Sequence, residues 1–167
     1  QPNRMDFTGG IMKDNKIQIA ILGLGTAGTG VYKVLKKQQS EMLPKLGVEV
    51  EVSRVLVRNL ERAASRVDDP SVLTNNWEDI ISDDTIDIIV EVMGGMEPAR
   101  TYILDALHAG KNVVTANKDL LAEHGQELME AAERNHRDLC FEAAVGGGIP
   151  IIRPLKEGLA GNEVTEV

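Results

Sequence analysis

Short apolar runs alternate along the chain with longer segments whose apolar residues recur at helical spacing. Short apolar runs predict strands at residues 17–22, 48–58, 72–74, 86–92, 113–115 and 139–144, and the run at 86–92 is rich in β-branched residues. The segments between them predict helices at residues 27–42, 60–67, 77–82, 98–109 and 120–135. In the first helix, Val31, Val34 and Leu35 share the inner face. This regular alternation of strand and helix is typical of an α/β domain.

A glycine-rich loop joins the first predicted strand to the first predicted helix. Its residues are Gly23, Leu24, Gly25, Thr26, Ala27 and Gly28. The first glycine permits a tight turn, the second lets a pyrophosphate approach the backbone, and the third lets the helix pack on the strand. The first helical turn also favours an anion through its N–H groups and dipole. The loop predicts a dinucleotide site, with a structural turn that binds no ligand as the alternative. A P-loop is excluded because no Gly-Lys-Ser/Thr follows.

The order of elements and the position of the glycine loop together predict the fold. Right-handed crossovers between parallel strands lead to a sheet in the order 3-2-1-4-5-6 with helices on both faces. We therefore expect an α/β fold of the Rossmann type, a doubly wound parallel sheet in a three-layer αβα arrangement over residues 17–145. Residues 1–16 are polar and aperiodic and are interpreted as a disordered leader. Residues 146–167 are interpreted as a connection into a further domain, which makes the chain a fragment.

The residue at the end of the second strand usually selects between the two nicotinamide dinucleotides. An acidic residue there binds the ribose 2′-OH of NAD, whereas this chain has Arg58, with Arg62 one helical turn later. A guanidinium suits a 2′-phosphate through paired hydrogen bonds, so the sequence predicts that NADP is accepted. A solvated surface arginine is the alternative, and the nearby Glu61 leaves NAD open.

Two further clusters follow the fourth and fifth strands, at the sheet edge where ligands of this fold bind. Glu91 is followed by Val92, Met93, Gly94 and Gly95, and the two glycines would keep the nicotinamide side of the cleft open. Lys118 follows the fifth strand, where its ammonium would point into the cleft and donate to a reacting oxygen or hold a carboxylate. A tight turn and a surface lysine are the alternatives.

Composition narrows the classes of partner. The formal net charge is −8 and the basic residues form no cluster, which argues against nucleic acid or an anionic membrane as partner. The single cysteine, Cys140, favours a reducing compartment, and we expect a cytoplasmic protein in which it is a small core residue. The three histidines, at positions 108, 124 and 136, have no triad or metal spacing and are expected to be exposed.

Four motifs together resemble homoserine dehydrogenase, over essentially residues 17–167. They are GLGTAGTGV at 23–31, EVMGG at 91–95, VTANK at 114–118 and EAAVGGGIPIIRPLKEGL at 142–159. The resemblance implies reversible conversion of L-homoserine and NAD(P)⁺ to L-aspartate 4-semialdehyde and NAD(P)H, in threonine, methionine and isoleucine biosynthesis. It implies that Leu24 to Gly28, Arg58, Met93 to Gly95 and Lys118 line the cofactor, and that Lys118 is catalytic and reaches the reacting oxygen.

The same resemblance implies features outside the dinucleotide site. A Na⁺ or K⁺ site would use largely main-chain oxygens at Glu142, Val145, Gly147 and Ile149. A substrate and dimerisation domain would follow residue 167 and supply another lysine and acidic residues, giving a homodimer or a higher oligomer. The alternatives are another small-molecule dehydrogenase of the same layout, which the last two motifs disfavour, and a non-catalytic redox-sensing module. The residues leave open the preference between NADP and NAD, and any fusion to an aspartate kinase or a regulatory domain.

Overall fold

A single parallel sheet organises the protein. The computed structural model describes residues 16–41 and 49–142. The strands are β1 (Lys16–Leu22), β2 (Glu49–Leu56), β3 (Leu73–Thr74), β4 (Ile88–Glu91), β5 (Asn112–Thr115) and β6 (Leu139–Phe141). They are hydrogen-bonded in the order β3-β2-β1-β4-β5-β6, and every pair is parallel. The predicted fold class and strand order are therefore confirmed.

The helices lie between the strands as predicted, with shifted boundaries. They are α1 (Thr26–Glu41), α2 (Leu60–Ala63), α3 (Glu78–Ile81), α4 (Ala99–His108) and α5 (Lys118–Arg134). The predicted helix at 60–67 ends as α-helix at Ala63 and continues as a 3₁₀ turn to Arg66. α5 begins two residues earlier than predicted, because the Asn117 side chain caps it by accepting a hydrogen bond from the Leu120 N–H at 3.1 Å.

Two apolar cores lie on opposite faces of the sheet, because successive strand residues point to opposite sides. On one face, Ile19 and Ile21 of β1 pack with Val31 and Leu35 of α1, and all four are buried. The predicted inner face of α1 is thus confirmed, although Val34 is only half-buried. The other face packs against α3, α4 and α5, with a buried core that includes Leu22, Ile80, Ile89, Ile103, Leu107, Leu120 and Leu128. The result is the expected three-layer arrangement.

The start of α1 lies unusually close to the end of β1. Gly23 has φ +105° and donates its N–H to the Leu56 carbonyl at 2.9 Å, which turns the chain at the sheet edge. A Cβ on Gly28 would lie 2.0 Å from the Gly23 carbonyl oxygen, far inside van der Waals contact. Only glycine fits there, so the third glycine of the loop has the packing role that the sequence predicts.

The close approach at Gly28 predicts opposite effects for two substitutions in the same helix. Gly28→Ala must push α1 away from β1, and we expect it to lower the free energy of unfolding by about 1–3 kcal/mol. Gly30→Ala is the matched control, because a Cβ there meets no heavy atom within 4 Å. This control is expected to raise stability by about 0.5–1 kcal/mol through helix propensity. Urea unfolding curves measure both, and equal effects of the two variants would contradict the packing argument.

Candidate functional site

A cleft of about 680 Å³ opens at the carboxyl ends of β1 and β2. The glycine loop, the segment around α2 and the start of α4 form its walls. It is lined by Gly23, Leu24, Gly25, Leu56, Val57, Arg58, Asn59, Arg62, Ala63, Arg66, Asn75, Met93, Pro98 and Tyr102. Five of the predicted cofactor residues are therefore together in one cavity: Gly23, Leu24, Gly25, Arg58 and Met93.

The glycine loop presents backbone to this cleft. Thr26 and Ala27 are the exposed first residues of α1, and the N–H groups of a first helical turn have no acceptor within the helix. A Cβ at Gly25 would meet nothing within 4 Å, in contrast to Gly28. Packing among the described residues therefore does not explain the glycine at position 25. Open backbone beside a helix N-terminus is suited to a phosphate group.

Three arginines form a cationic wall across from the glycine loop. Arg58, Arg62 and Arg66 line the cleft, and none of the lining residues is acidic. The Arg66 guanidinium donates to the Leu24 carbonyl at 2.8 Å and so joins the segment after α2 to the glycine loop. Arg58 and Arg62 are exposed, and within the described part of the chain neither forms an ion pair. In a protein of net charge −8, this local positive charge favours an anionic ligand.

A fully buried carboxylate joins the ends of β4 and β5. Glu91 has no exposed surface, and its Oε2 accepts hydrogen bonds from the N–H groups of Met93 at 3.0 Å and Gly94 at 3.1 Å. Its Oε1 accepts from the Thr115 hydroxyl at 2.5 Å. The Asn117 amide donates to the Gly95 carbonyl at 2.7 Å and approaches Glu91 Oε2 at 3.5 Å. The loop after β4 is thereby held against the start of α5.

The positioning role of Glu91, Thr115 and Asn117 is not among the predictions from the sequence. A signal was present, since an acidic residue that ends a run of buried β-branched residues needs hydrogen-bond donors nearby. Glu91 and Thr115 are also register partners on neighbouring strands. The partners of the carboxylate become visible only once the strand order and register are known.

Lys118 lies at the same edge of the sheet but does not line the cleft. It is the exposed first residue of α5, and its expected orientation into the cleft stays a prediction. Gly94 and Gly95 are exposed as well and do not line the cleft. The cleft lies at the ends of β1 and β2, whereas these three residues are exposed at the edge above β4 and β5.

Arg100 clamps α4 to α5 beside the loop that follows β4. Its guanidinium donates to both carboxylate oxygens of Glu127, at 2.8 and 2.7 Å, and to Glu97 at 3.1 Å. The hydrogen bond from Arg100 lowers the pKa of Glu127. The Thr101 hydroxyl, followed by Arg100, lowers the pKa of Glu97. All of these groups are partly exposed, so the clamp sets orientation more than stability.

The structure describes some of the remaining candidate residues, while others lie outside the described ranges. His108 and His136 are exposed as expected, but His124 is half-buried, 3.7 Å from the Glu127 carboxylate. Cys140 is partly buried against the core. Glu142 is half-buried and donates its N–H to the Thr115 carbonyl at 3.0 Å. The other residues expected to bind a monovalent cation, Val145, Gly147 and Ile149, lie outside the described residues, as do the expected leader and the connection at 146–167.

Removing one donor to Glu91 tests how strongly the buried network holds the edge. Thr115→Val keeps the shape of the side chain but leaves the carboxylate with one partner fewer. We expect the free energy of unfolding to fall by about 1.5–3 kcal/mol, the scale of a buried hydrogen bond to a charged group. Thr101→Val is the matched control, since its hydroxyl also donates to a glutamate, but at the surface. Denaturant unfolding should show a much smaller change for this control, and equal losses would contradict the argument.

Comparison with known proteins places the chain in a family. The sequence profile described as "Homoserine dehydrogenase, NAD binding domain" matches residues 23–142. The homoserine dehydrogenase of Bacillus subtilis is 45% identical over 152 residues, which are 90% of this chain and 35% of that protein. The homoserine dehydrogenase of Corynebacterium glutamicum is 41% identical over 96% of this chain and 36% of its own length. The chain thus spans about a third of the length of these curated relatives.

Solved structures agree with the sequence comparison. The crystal structure of a homoserine dehydrogenase from Thiobacillus denitrificans superposes with a TM-score of 0.73 at 45% identity, covering 87% of this chain and 34% of that one. A hyperthermophilic archaeal homoserine dehydrogenase in complex with NADPH gives a TM-score of 0.63 at 29% identity, covering 87% and 50%. Within the described residues, no helix is long and apolar enough to cross a bilayer. The chain belongs to the homoserine dehydrogenase NAD-binding domain family.

Proposed function

We propose that the chain binds NADP(H) as the dinucleotide-binding part of a homoserine dehydrogenase. The observation that carries this proposal is the cleft in which a glycine loop and a helix N-terminus face three arginines and no acidic residue. A dinucleotide with three phosphate groups matches both walls, because its pyrophosphate suits the glycine loop and its 2′-phosphate suits the guanidinium groups. The NADPH in the archaeal relative supports the same ligand class.

The preference for NADP(H) over NAD(H) rests on Arg58 and Arg62. An NAD-selective site of this fold uses a carboxylate after the second strand to bind the ribose 2′-OH. Here that position is Arg58, and Glu61 is exposed without lining the cleft. A carboxylate would repel the 2′-phosphate, whereas two guanidinium groups without a described ion-pair partner attract it. The cleft therefore favours the phosphorylated cofactor.

The reaction that we propose for the whole enzyme is the interconversion of L-homoserine and L-aspartate 4-semialdehyde. The bound dinucleotide supplies the hydride acceptor or donor. Lys118 lies at the edge above β4 and β5, where an exposed ammonium stabilises negative charge on the alcohol oxygen or protonates the aldehyde oxygen during reduction. Glu91 and Asn117 act indirectly, because they hold the loop after β4 and cap the helix that begins with Lys118.

The family resemblance supports three further parts of this proposal. A Na⁺ or K⁺ ion would be held largely by main-chain oxygens at Glu142, Val145, Gly147 and Ile149. The full-length protein would assemble as a homodimer or a higher oligomer and would act in the cytoplasm. The oxygen ligands of this ion site are hard, and hard ligands suit a monovalent cation.

Cofactor selection is tested by Arg58→Ala. If the guanidinium meets the 2′-phosphate, the variant should bind NADP⁺ more weakly by about 1.5–3 kcal/mol and bind NAD⁺ almost unchanged. Arg134→Ala is the matched control, because this exposed arginine ends α5, whose last turn lies at the opposite edge of the sheet. Titration calorimetry with both cofactors gives the comparison. Equal losses for NADP⁺ and NAD⁺, or no loss, would show that Arg58 does not select the cofactor.

Lys118→Ala tests whether this lysine acts in catalysis and not in folding. Since the side chain is exposed, Lys118→Ala should change the free energy of unfolding by no more than about 0.5 kcal/mol. In the full-length enzyme, the same change should lower kcat by roughly 10²-fold or more if the ammonium acts on the reacting oxygen. Lys33→Ala, on the exposed side of α1, should leave kcat within about twofold. Steady-state kinetics and melting curves decide the matter, and a normal kcat for Lys118→Ala would reject the catalytic assignment.

A further inference from the structure

A stacked aromatic pair stands beside the cleft. Trp77 is the single tryptophan of the chain, and its ring lies 4.3 Å from that of Tyr102, centroid to centroid, at an interplanar angle of 18°. The indole N–H also donates to the Asp105 carboxylate at 3.2 Å. Tyr102 and Asp105 are one turn apart on α4, so this helix holds the indole at two points. The tyrosine ring is thereby fixed from one side.

Tyr102 belongs both to this stacked pair and to the lining of the cleft. Tyr102 lines the cavity, whereas Trp77 does not. Since the indole covers one face of the phenol ring, the cleft contacts the other face or an edge. Pro98, one turn earlier on the same wall, and the half-buried Met93 continue this surface. This wall of the cleft therefore combines an aromatic ring with two apolar side chains.

The two walls of the cleft differ in chemistry, and each wall indicates one group that the ligand carries. Arg58 and Arg62 favour an anion, while Tyr102 favours a planar, uncharged ring. A nucleoside that carries a ribose phosphate has both groups side by side. Stacking of a nucleobase on an aromatic side chain stabilises a complex without selecting strongly among bases.

We propose that Tyr102, buttressed by Trp77, is the stacking platform for the adenine ring of the dinucleotide. The assignment rests on the proposed function, because it names the part of NADP(H) that this wall binds. Trp77 is a positioning residue, since it acts on the ligand only through the tyrosine ring. Unlike Arg58, the platform contributes equally to NADP(H) and NAD(H), because both contain adenine.

The test compares both cofactors across three variants of the 167-residue chain, by titration calorimetry. Tyr102→Leu should weaken NADP⁺ and NAD⁺ by the same factor, about tenfold, which corresponds to about 1.4 kcal/mol. Tyr102→Phe keeps the aromatic face and should stay within about twofold of the unmodified chain. Thr101→Val is the control, because the neighbouring residue on α4 is exposed and does not line the cleft. It should bind both cofactors as the unmodified chain does.

A second measurement uses the fluorescence of Trp77, for which no other tryptophan interferes. The probe is 2′,5′-ADP, which carries the adenine and the 2′-phosphate but no nicotinamide. Its binding should change the emission of the unmodified chain and of Tyr102→Phe, because the base contacts the ring that stacks on the indole. In Tyr102→Leu, saturation with the probe should leave the emission nearly unchanged. A merely structural role for Tyr102 does not predict this pattern.

The outcomes separate this inference from the proposed function. Unchanged affinity of a folded Tyr102→Leu variant for both cofactors would overturn the platform, as would a loss confined to NADP⁺. If Tyr102→Leu does not fold, an unchanged Trp77 emission when 2′,5′-ADP saturates the unmodified chain overturns it instead. Failure of the unmodified chain to bind either NADP⁺ or NAD⁺ would reject the proposed function itself.

Discussion

One buried carboxylate holds two loops together at the sheet edge above β4 and β5. Glu91 is without exposed surface at the end of β4, and an unpaired charge there would be strongly destabilising. Its hydrogen bonds to the backbone of Met93 and Gly94 and to the Thr115 hydroxyl satisfy the charge and also fix two loops relative to each other. Asn117, which caps α5, also approaches Glu91 and donates to the Gly95 carbonyl, so the start of α5 is linked to this arrangement. The Glu91 carboxylate, whose burial is unfavourable without partners, thus also holds the two loops in place.

The cleft and the exposed lysine lie at different parts of the same sheet edge. The ends of β1 and β2, with the glycine loop and the arginine wall, form a cleft that suits the adenosine and phosphate portion of a dinucleotide. The ends of β4 and β5 carry the exposed Lys118 above the Glu91 network. The clamp formed by Arg100 joins α4, which lines the cleft, to α5, which presents the lysine.

Local sequence patterns predict the fold and the glycine loop, but they do not predict contacts between distant segments. The strand order follows from alternating apolar runs and the rule of right-handed crossovers, and the packing role of Gly28 follows from its place in the loop. Two of the boundary differences coincide with side chains that replace backbone partners. The predicted strand at 86–92 begins only at Ile88, where the Asp87 carboxylate accepts the Gln18 N–H, and Asn117 starts α5 early. Arg66 reaches Leu24 across 42 residues, and Tyr102 reaches the cleft only after α4 has packed, so no sequence window contains these contacts.

Because β1 lies between β2 and β4 in the sheet, its two neighbours become available at different times during synthesis. β1 is hydrogen-bonded to β2 on one side and to β4 on the other, and the Gln18–Asp87 contact spans 69 residues. At about 5–20 residues per second, the ribosome completes β4 several seconds after β1 has emerged. During that interval β1 and β2 can pair, while the other edge of an apolar strand stays without its partner. Such an edge is a template for pairing with another chain, so β1 is open to aggregation until residue 91 leaves the ribosome.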